Sequence, residues 1–256
     1  MRKGNILHQF FLTTQAGKRL IAKAFPYIPE ILRALKNQTI VIIAGTTNSY
    51  IAKEMLQYIG QDEGFSGRGF HRGITLPPGY AGNKISVGPV SDVVIEKGTW
   101  IRDKTIFDVI EQLKQGDIII KGANALDVER RKAAVLVGHP KGGTIQASLA
   151  AVIGRRAVLY LPVGLEKRVC GNLDALAAAV NSPDASGLRL MPVSGTIVTE
   201  LDAIRILSGC QADLIAAGGV CGAEGGCWIA VSGTDDQVSK AGEFIRSVEK
   251  EPPFEL

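Results

Sequence analysis

Lys121 and Lys141 are the residues of this 256-residue chain whose surroundings look most like a working site. Each follows an apolar run at a glycine corner, DIIIKG (117–122) and AAVLVGHPKGG (133–143), with Asn124, Asp127 and His139 beside them. A lysine there can clamp an anion or act as an electrophile. Asp127 or His139 could handle a proton, since an imidazole titrates near neutral pH. Gly122, Gly142 and Gly143 let backbone come close to a ligand, and Thr144 opens the next helix.

A third corner is AGTTNSY (44–50). Gly45 permits a tight turn, and Thr46, Thr47, Asn48 and Ser49 set hydrogen-bonding groups at the start of a helix. Unpaired N–H groups and the positive end of the helix dipole favour an anion there. The plainer alternatives stay open: an ordinary N-cap at 46–49, a turn-capping Asp127, a structural turn at His139–Pro140, and an exposed loop around His71 and Arg72. The corner is neither a Walker A loop nor GxGxxG, so it does not imply a nucleotide.

The elements that must hold these corners alternate. Helix is expected over Thr13–Leu35 with interruptions at Pro26 and Pro29, then a buried strand at 39–45 and a helix running to Gly60. Residues 61–104 read as a long Gly- and Pro-rich functional loop or hairpin, with DVVIEKGTWI as a strand pair. Next come a helix closed by Gly116, strands DIIIKG and AAVLVG, helix GTIQASLAAVIG and strand RAVLYLPVG. This predicts an α/β protein with a doubly wound, mostly parallel, Rossmann-like sheet covered by helices on both faces. After helix NLDALAAAVN the order reads β-α-β-β-α, as in a smaller ferredoxin-like α+β lobe. The expected division is 1–186, with an N-terminal helical segment, and 187–256.

Composition narrows the function classes. Apolar residues make up 46% of the chain and aromatics only 6%, which suits a parallel sheet packed with Val, Ile, Leu and Ala. A net charge of +4 with scattered basic residues speaks against nucleic acid and for small anionic ligands. Cys170, Cys210, Cys221 and Cys227 form no CxxC pair and no zinc-ligand spacing, so free thiols are expected and neither metal nor organic cofactor is indicated. No segment has the apolar length of a signal core or a membrane span, which points to a soluble cytoplasmic protein without membrane partners. The apolar LAAVIG stretch and alanine-rich surfaces suggest a homo-oligomer.

In series, these motifs resemble ribose-5-phosphate isomerase of the A type and its wider superfamily of sugar-phosphate isomerases, glucosamine-6-phosphate deaminases, sugar-sensing repressor domains and CoA transferases. AGTTNSY resembles the phosphate loop Gly-Thr-Gly-Ser-Thr, DIIIKGANALD the segment Asp-Gly-Ala-Asp-Glu-Val-Asp, and VGHPKGGTIQASLA the segment Ile-Lys-Gly-Gly-Gly-Gly-Ala-Leu. RAVLYLPVGLEK resembles the strand before Asp-Glu-Ser-Lys. The resemblance runs from about residue 38 to 247 and implies a phosphorylated metabolite, with Asp127 and Lys141 as matching site residues.

The departures bear on catalysis. The isomerase moves a proton with a glutamate in the helix after its Lys-Gly-Gly corner, and TIQASLAAVIG has no acid. Lys121 and Asn124 replace two acids of the second segment. A lysine can stand in for a carboxylate base only if burial lowers its pKa steeply, and losing a general base costs ~10²–10⁴ in rate. The expectation is a binder of a small anionic, phosphorylated metabolite that isomerises it if proton transfer survives. The alternatives are a non-catalytic sensor or a CoA-transferase-like enzyme, for which Glu166 in PVGLEK is the nearby candidate nucleophile and Glu224 is remote.

Overall fold

The computed structural model describes residues 6–72, 75 and 90–254. It begins with a strand the sequence did not suggest, β1 (Ile6–Leu12). Thr13 then caps α1 (Thr14–Ala24) by accepting the Ala16 N–H at 3.2 Å. Pro26 sits in a single 3-10 turn, Phe25–Tyr27, and Pro29 opens α2 (Pro29–Asn37). The helix expected over 13–35 is therefore in two pieces, because proline is tolerated in a first turn and not in a helix interior. β2 (Thr39–Ile42) and α3 (Thr46–Tyr58) form the expected strand–loop–helix corner.

The long loop expected at 61–104 falls partly on residues 73–74 and 76–89, outside the described residues; 61–72 carries neither helix nor strand. The strand pair within it is the hairpin β3 (Val93–Glu96) and β4 (Thr99–Ile101). It turns through Lys97 and Gly98 with φ of 47° and 80°, as a two-residue hairpin requires. A capping box between Thr105 and Asp108 starts α4 (Ile106–Val109), and β5 (Ile118–Ile120) and β6 (Ala125–Asp127) follow. β7 (Lys132–Val137), α5 (Gly143–Arg155), β8 (Val158–Pro162) and α6 (Leu173–Val180) come next. The chain closes with β9 (Arg189–Val193), β10 (Thr196–Val198), α7 (Glu200–Ser208), β11 (Gln211–Ala217), β12 (Cys227–Gly233) and α8 (Asp235–Val248).

The fold is mixed α/β around a six-stranded sheet of order β10-β8-β5-β2-β3-β4. β10, β8, β5 and β2 run parallel, and the β3–β4 hairpin extends that sheet antiparallel. Both faces are buried. Ile40, Ile42, Ile118, Ile120 and Tyr160 pack with α2 and α3, whereas Val41, Ile43, Ile119, Leu159 and Leu161 pack in the cluster holding Ile106, Val109, Ile145 and Ala151. Alternate side chains thus enter opposite layers, which is why the strands read as unbroken apolar runs. No helix among the described residues is long and apolar enough to cross a membrane.

Two expectations about strands need correction. AAVLVG is not in the parallel sheet: β7 pairs antiparallel with β6 and β9 in a separate three-stranded sheet, because the short turn 128–131 folds it back on β6. Hence Lys141 does not follow a parallel strand. TIV at 196–198, which the sequence reading assigns to no element, is the edge strand β10. The remaining sheet, β1-β12-β11, joins residues 6–12 to 227–233 and so draws the two ends of the described chain together. Pairing of β7 with β9 and of β8 with β10 crosses the division expected at residue 186.

One topological consequence positions the site. Arg156 O accepts from Gly116 N–H and Asp117 O from Val158 N–H, which fixes the end of α5 beside the starts of β5 and β8. The 13-residue helix, roughly 20 Å long, returns the chain along the sheet, so its first turn stands toward the carboxyl ends of the parallel strands.

Candidate functional site

The carboxyl ends of β2, β5, β8 and β10 form a rim, and polar side chains collect along it. At β2, Gly45 has φ −179°, ordinary extended backbone, and leads into α3. The first i to i−4 bond of α3 runs from Ser49 N–H to Gly45 O at 2.8 Å, which leaves the N–H groups of Thr46, Thr47 and Asn48 ahead of it. Thr47, Asn48 and Ser49 are buried. The Asn48 amide donates to Ile43 O at 2.7 Å and Ile120 O at 3.0 Å, stapling the ends of β2 and β5. Thr47 Oγ1 and Asn48 Oδ1 are buried with no hydrogen-bond partner among the described residues.

Beside this corner, Asp92 is buried and fully occupied. Its Oδ1 accepts from Ala44 N–H at 2.8 Å and Arg72 Nη1 at 2.7 Å, and its Oδ2 from Ile106 N–H at 2.7 Å. Arg72 also donates to Val90 O. Asp92→Ala orphans two backbone donors and an arginine, at about 1–3 kcal/mol per buried unsatisfied group. Urea unfolding should show a loss of roughly 3 kcal/mol or more; a loss below 1 kcal/mol would refute this role for Asp92.

Lys121 follows β5, its N–H bonded to Tyr160 O at 3.0 Å. Its Nζ has no hydrogen-bond or ion-pair partner among the described residues. Burial lowers its pKa to about 8; Asp92 works against the shift, while Arg72 and Lys167 add to it. Lys167 reaches the same loop from beyond β8, donating to Ala123 O at 2.8 Å. Its pKa is also lowered, by burial first, with Glu166 opposing.

The turns after β8 and β10 add one carboxyl group each, Glu166 and Glu200. Glu200, first residue of α7, is buried and accepts from Leu165 N–H at 2.9 Å. Glu166 places Oε1 3.7 Å from Lys18 Nζ, and neither of its buried oxygens has a hydrogen-bond partner among the described residues. The two acids are neighbours: a Cβ on Gly164 would overlap Glu166 Oε2 and come within 3.0 Å of Glu200 Oε1. A Cβ on Gly17 would lie 2.5 Å from that same Glu200 oxygen. Two glycines therefore make the room this pair occupies. Burial, then repulsion from Glu166, raises Glu200 to about 8, so it is neutral at pH 7.

The residues singled out in the sequence are divided by the structure. Thr46, Thr47, Asn48, Ser49, Lys121 and Gly122 stand at the rim. Asn124 is structural, its Oδ1 accepting from Leu136 N–H at 3.0 Å. Asp127 holds the β6–β7 turn: Oδ1 accepts Arg130 N–H at 3.0 Å and Oδ2 the Arg130 guanidinium at 3.1 Å, which keeps its carboxyl below the usual range. It is occupied as a turn cap. His139 and Lys141 are exposed, and His139 Nδ1 accepts the Lys141 N–H at 3.1 Å. Gly142 and Gly143 are left-handed, φ 74° and 61°, and Thr144 O accepts from Ser148 Oγ. That loop flanks the rim at the start of α5 as a plain turn.

Lys167, Glu200 and Asp92 were not foreseen. Lys167 could have been, since it stands beside Glu166, the candidate nucleophile of PVGLEK, at the close of a buried strand; Glu200 reads in sequence as part of a capping motif. Cys210 and Cys227 are buried, Cys170 and Cys221 exposed, and all four are free. A hollow of about 520 Å³ lined by Phe65, Phe70, Trp100 and Arg102 shares Val90 and Asp92 with the groups described above.

The chain matches no family model, no curated protein and no solved structure. What the rim can do therefore rests on its own geometry.

Proposed function

We propose that the rim binds a small anionic, phosphorylated metabolite, with Lys121 as its anchor. One observation carries this reading: Lys121 is half-buried and has no hydrogen-bond or ion-pair partner among the described residues, and Asp92, the acid that favours its charge, is already saturated by two backbone N–H groups and Arg72. A buried cation without a partner is costly unless something negative joins it. The first-turn N–H groups of α3, which precede its first i to i−4 bond, lie one strand away, since Asn48 bonds to Ile120 O, the residue before Lys121. Lys167 and Arg72 supply further positive charge. In this reading the four parallel strands serve as a Rossmann-like layer, and the β1-β12-β11 sheet takes the place of the ferredoxin-like lobe in the isomerase–deaminase–transferase superfamily.

A catalytic version draws support from Glu166 and Glu200. They are adjoining carboxyl groups, Glu200 neutral at pH 7, on the same rim as Lys167, where the sequence had left no acid in the expected helix. Asp127, saturated in its turn, is set aside as the proton carrier.

The test is a thermal-shift series with inorganic phosphate, pentose and hexose phosphates, and the same sugars unphosphorylated. Phosphorylated compounds are expected to raise Tm with concentration, by RT ln(1 + [L]/Kd), about 2.7 kcal/mol at 100 times Kd. Lys141→Ala should leave that rise intact and Lys167→Ala should reduce it. Equal shifts from phosphorylated and plain sugars, or none from either, would reject the proposal. Turnover of a binding aldose phosphate to its ketose then separates enzyme from sensor.

A further inference from the structure

We infer that Lys121 is a carbonyl-reactive amine: a ligand that brings an aldehyde or ketone to the rim forms an imine with its Nζ. The inference deepens the phosphate reading, which supplies the hold on the ligand, but the chemistry needs only the amine and its surroundings.

Three features of the surroundings matter. First, Nζ is uncommitted among the described residues, so its lone pair, once deprotonated, is not spent on a neighbour. Second, the charged groups facing it are held in place. Arg72 is fixed by Asp92 and Val90 O, Lys167 by Ala123 O, and Asp92 by the backbone of Ala44 and Ile106. From α3, the uncharged Asn48 bonds to Ile120 O, the residue before Lys121. Two fixed cations thus oppose protonation of a third amine, and the single acid cannot swing toward it. Third, Lys121 is partly exposed, so a small carbonyl compound can reach it.

These conditions activate a lysine as nucleophile, since only the free base attacks and desolvation with neighbouring cations increases its share. With a pKa of about 8 in place of 10.5, the free amine at pH 7 is enriched roughly 300-fold.

The step balances without any further reactant. The Nζ lone pair adds to the carbonyl carbon, the π pair moves to oxygen, and one Nζ proton reaches that oxygen through solvent. The carbinolamine C–O bond then breaks as nitrogen forms the double bond. The second Nζ proton leaves with that oxygen as water.

The experiment uses the full chain and two probes, pyridoxal 5′-phosphate and pyridoxal, each trapped with borohydride and mapped by peptide mass spectrometry. Below one equivalent of pyridoxal 5′-phosphate, Lys121 should carry at least ~10-fold more label than exposed lysines such as Lys141. Labelling should rise with a midpoint near pH 8 and disappear from Lys121→Arg, which keeps the charge and removes the chemistry. Should that variant fail to fold, the wild-type map and its pH profile decide alone. Label spread over exposed lysines with Lys121 unmarked overturns the inference; if phosphates still shift Tm, the phosphate reading survives it. If pyridoxal marks Lys121 as readily as its phosphate does and no phosphate shifts Tm, the imine stands and the phosphate reading falls.

Discussion

Lys121→Met is expected to cut stabilisation by phosphorylated ligands sharply and to make the free protein more stable at pH 7. Methionine has a similar length and an apolar, adaptable side chain, so it removes the charge and leaves the volume. The sign follows from protonation. Burial brings the folded pKa down to about 8 from 10.5, so between those values the unfolded chain binds more protons and stability rises with pH. Below pH 8 both states are protonated and the folded state bears the full penalty, about 3 kcal/mol from the size of the shift. The gap between variant and wild type should be widest at pH 7 and close as pH approaches 10. A charge-assisted contact to phosphate contributes about 1.5–3 kcal/mol, so affinity should fall roughly 10- to 100-fold. Urea unfolding at pH 7 and pH 10, with and without the best-binding sugar phosphate, reads both effects. A variant less stable than wild type at pH 7 means that Lys121 has a partner in the folded protein, which removes the ground for the binding site.

The legible parts of this fold are those where one physical signal dominates. Runs such as TIVII and DIII announce strands buried on both faces, and the structure fills both faces of β2 and β5. AAVLV carries the same signal for a different reason. β7 is buried within a small antiparallel sheet, and composition does not encode the direction of a partner strand. β1 was hidden because Ile6–Leu12 mixes exposed and half-buried residues and finds its partner, β12, more than 200 residues away. Pairing at such separation leaves no local mark.

The site was legible to the extent that strand ends were. Knowing where β2 and β5 stop was enough to place Thr46–Ser49 and Lys121. His139 and Lys141 drew attention by residue type, but their neighbours are their own turn. Asp127 looked like a surviving acid because sequence cannot show that Arg130, three residues on, takes both its oxygens. Conversely, Glu200 looks like a helix-start acid, and it becomes unusual only when Gly17 and Gly164 seat it against Glu166. Those glycines come from segments nearly 150 residues apart.

Glu200→Gln should remove a pH dependence of stability that the wild type must show. Glu200 is raised to about 8 by burial first and Glu166 second. Between about 4.5 and 8 the folded protein therefore holds a proton that the unfolded chain has released. Stability falls as pH rises through that window, and the contribution present at acid pH is lost by the time Glu200 ionises. Glutamine imitates the neutral acid: its carbonyl can accept the Leu165 N–H, and its amide can donate toward Glu166, whose buried oxygens have no hydrogen-bond partner among the described residues. The variant should match the wild type near pH 5 and exceed it by several kcal/mol at pH 8.5, with a nearly flat profile between. Glu166→Gln removes the repelling charge, so it should move the wild-type midpoint to lower pH without abolishing it. Chemical denaturation at half-unit pH steps decides. A wild type whose stability rises from pH 5 to 8, or a Glu200→Gln profile parallel to it, would show that Glu200 ionises normally and that the rim has no carboxyl group able to donate a proton at neutral pH.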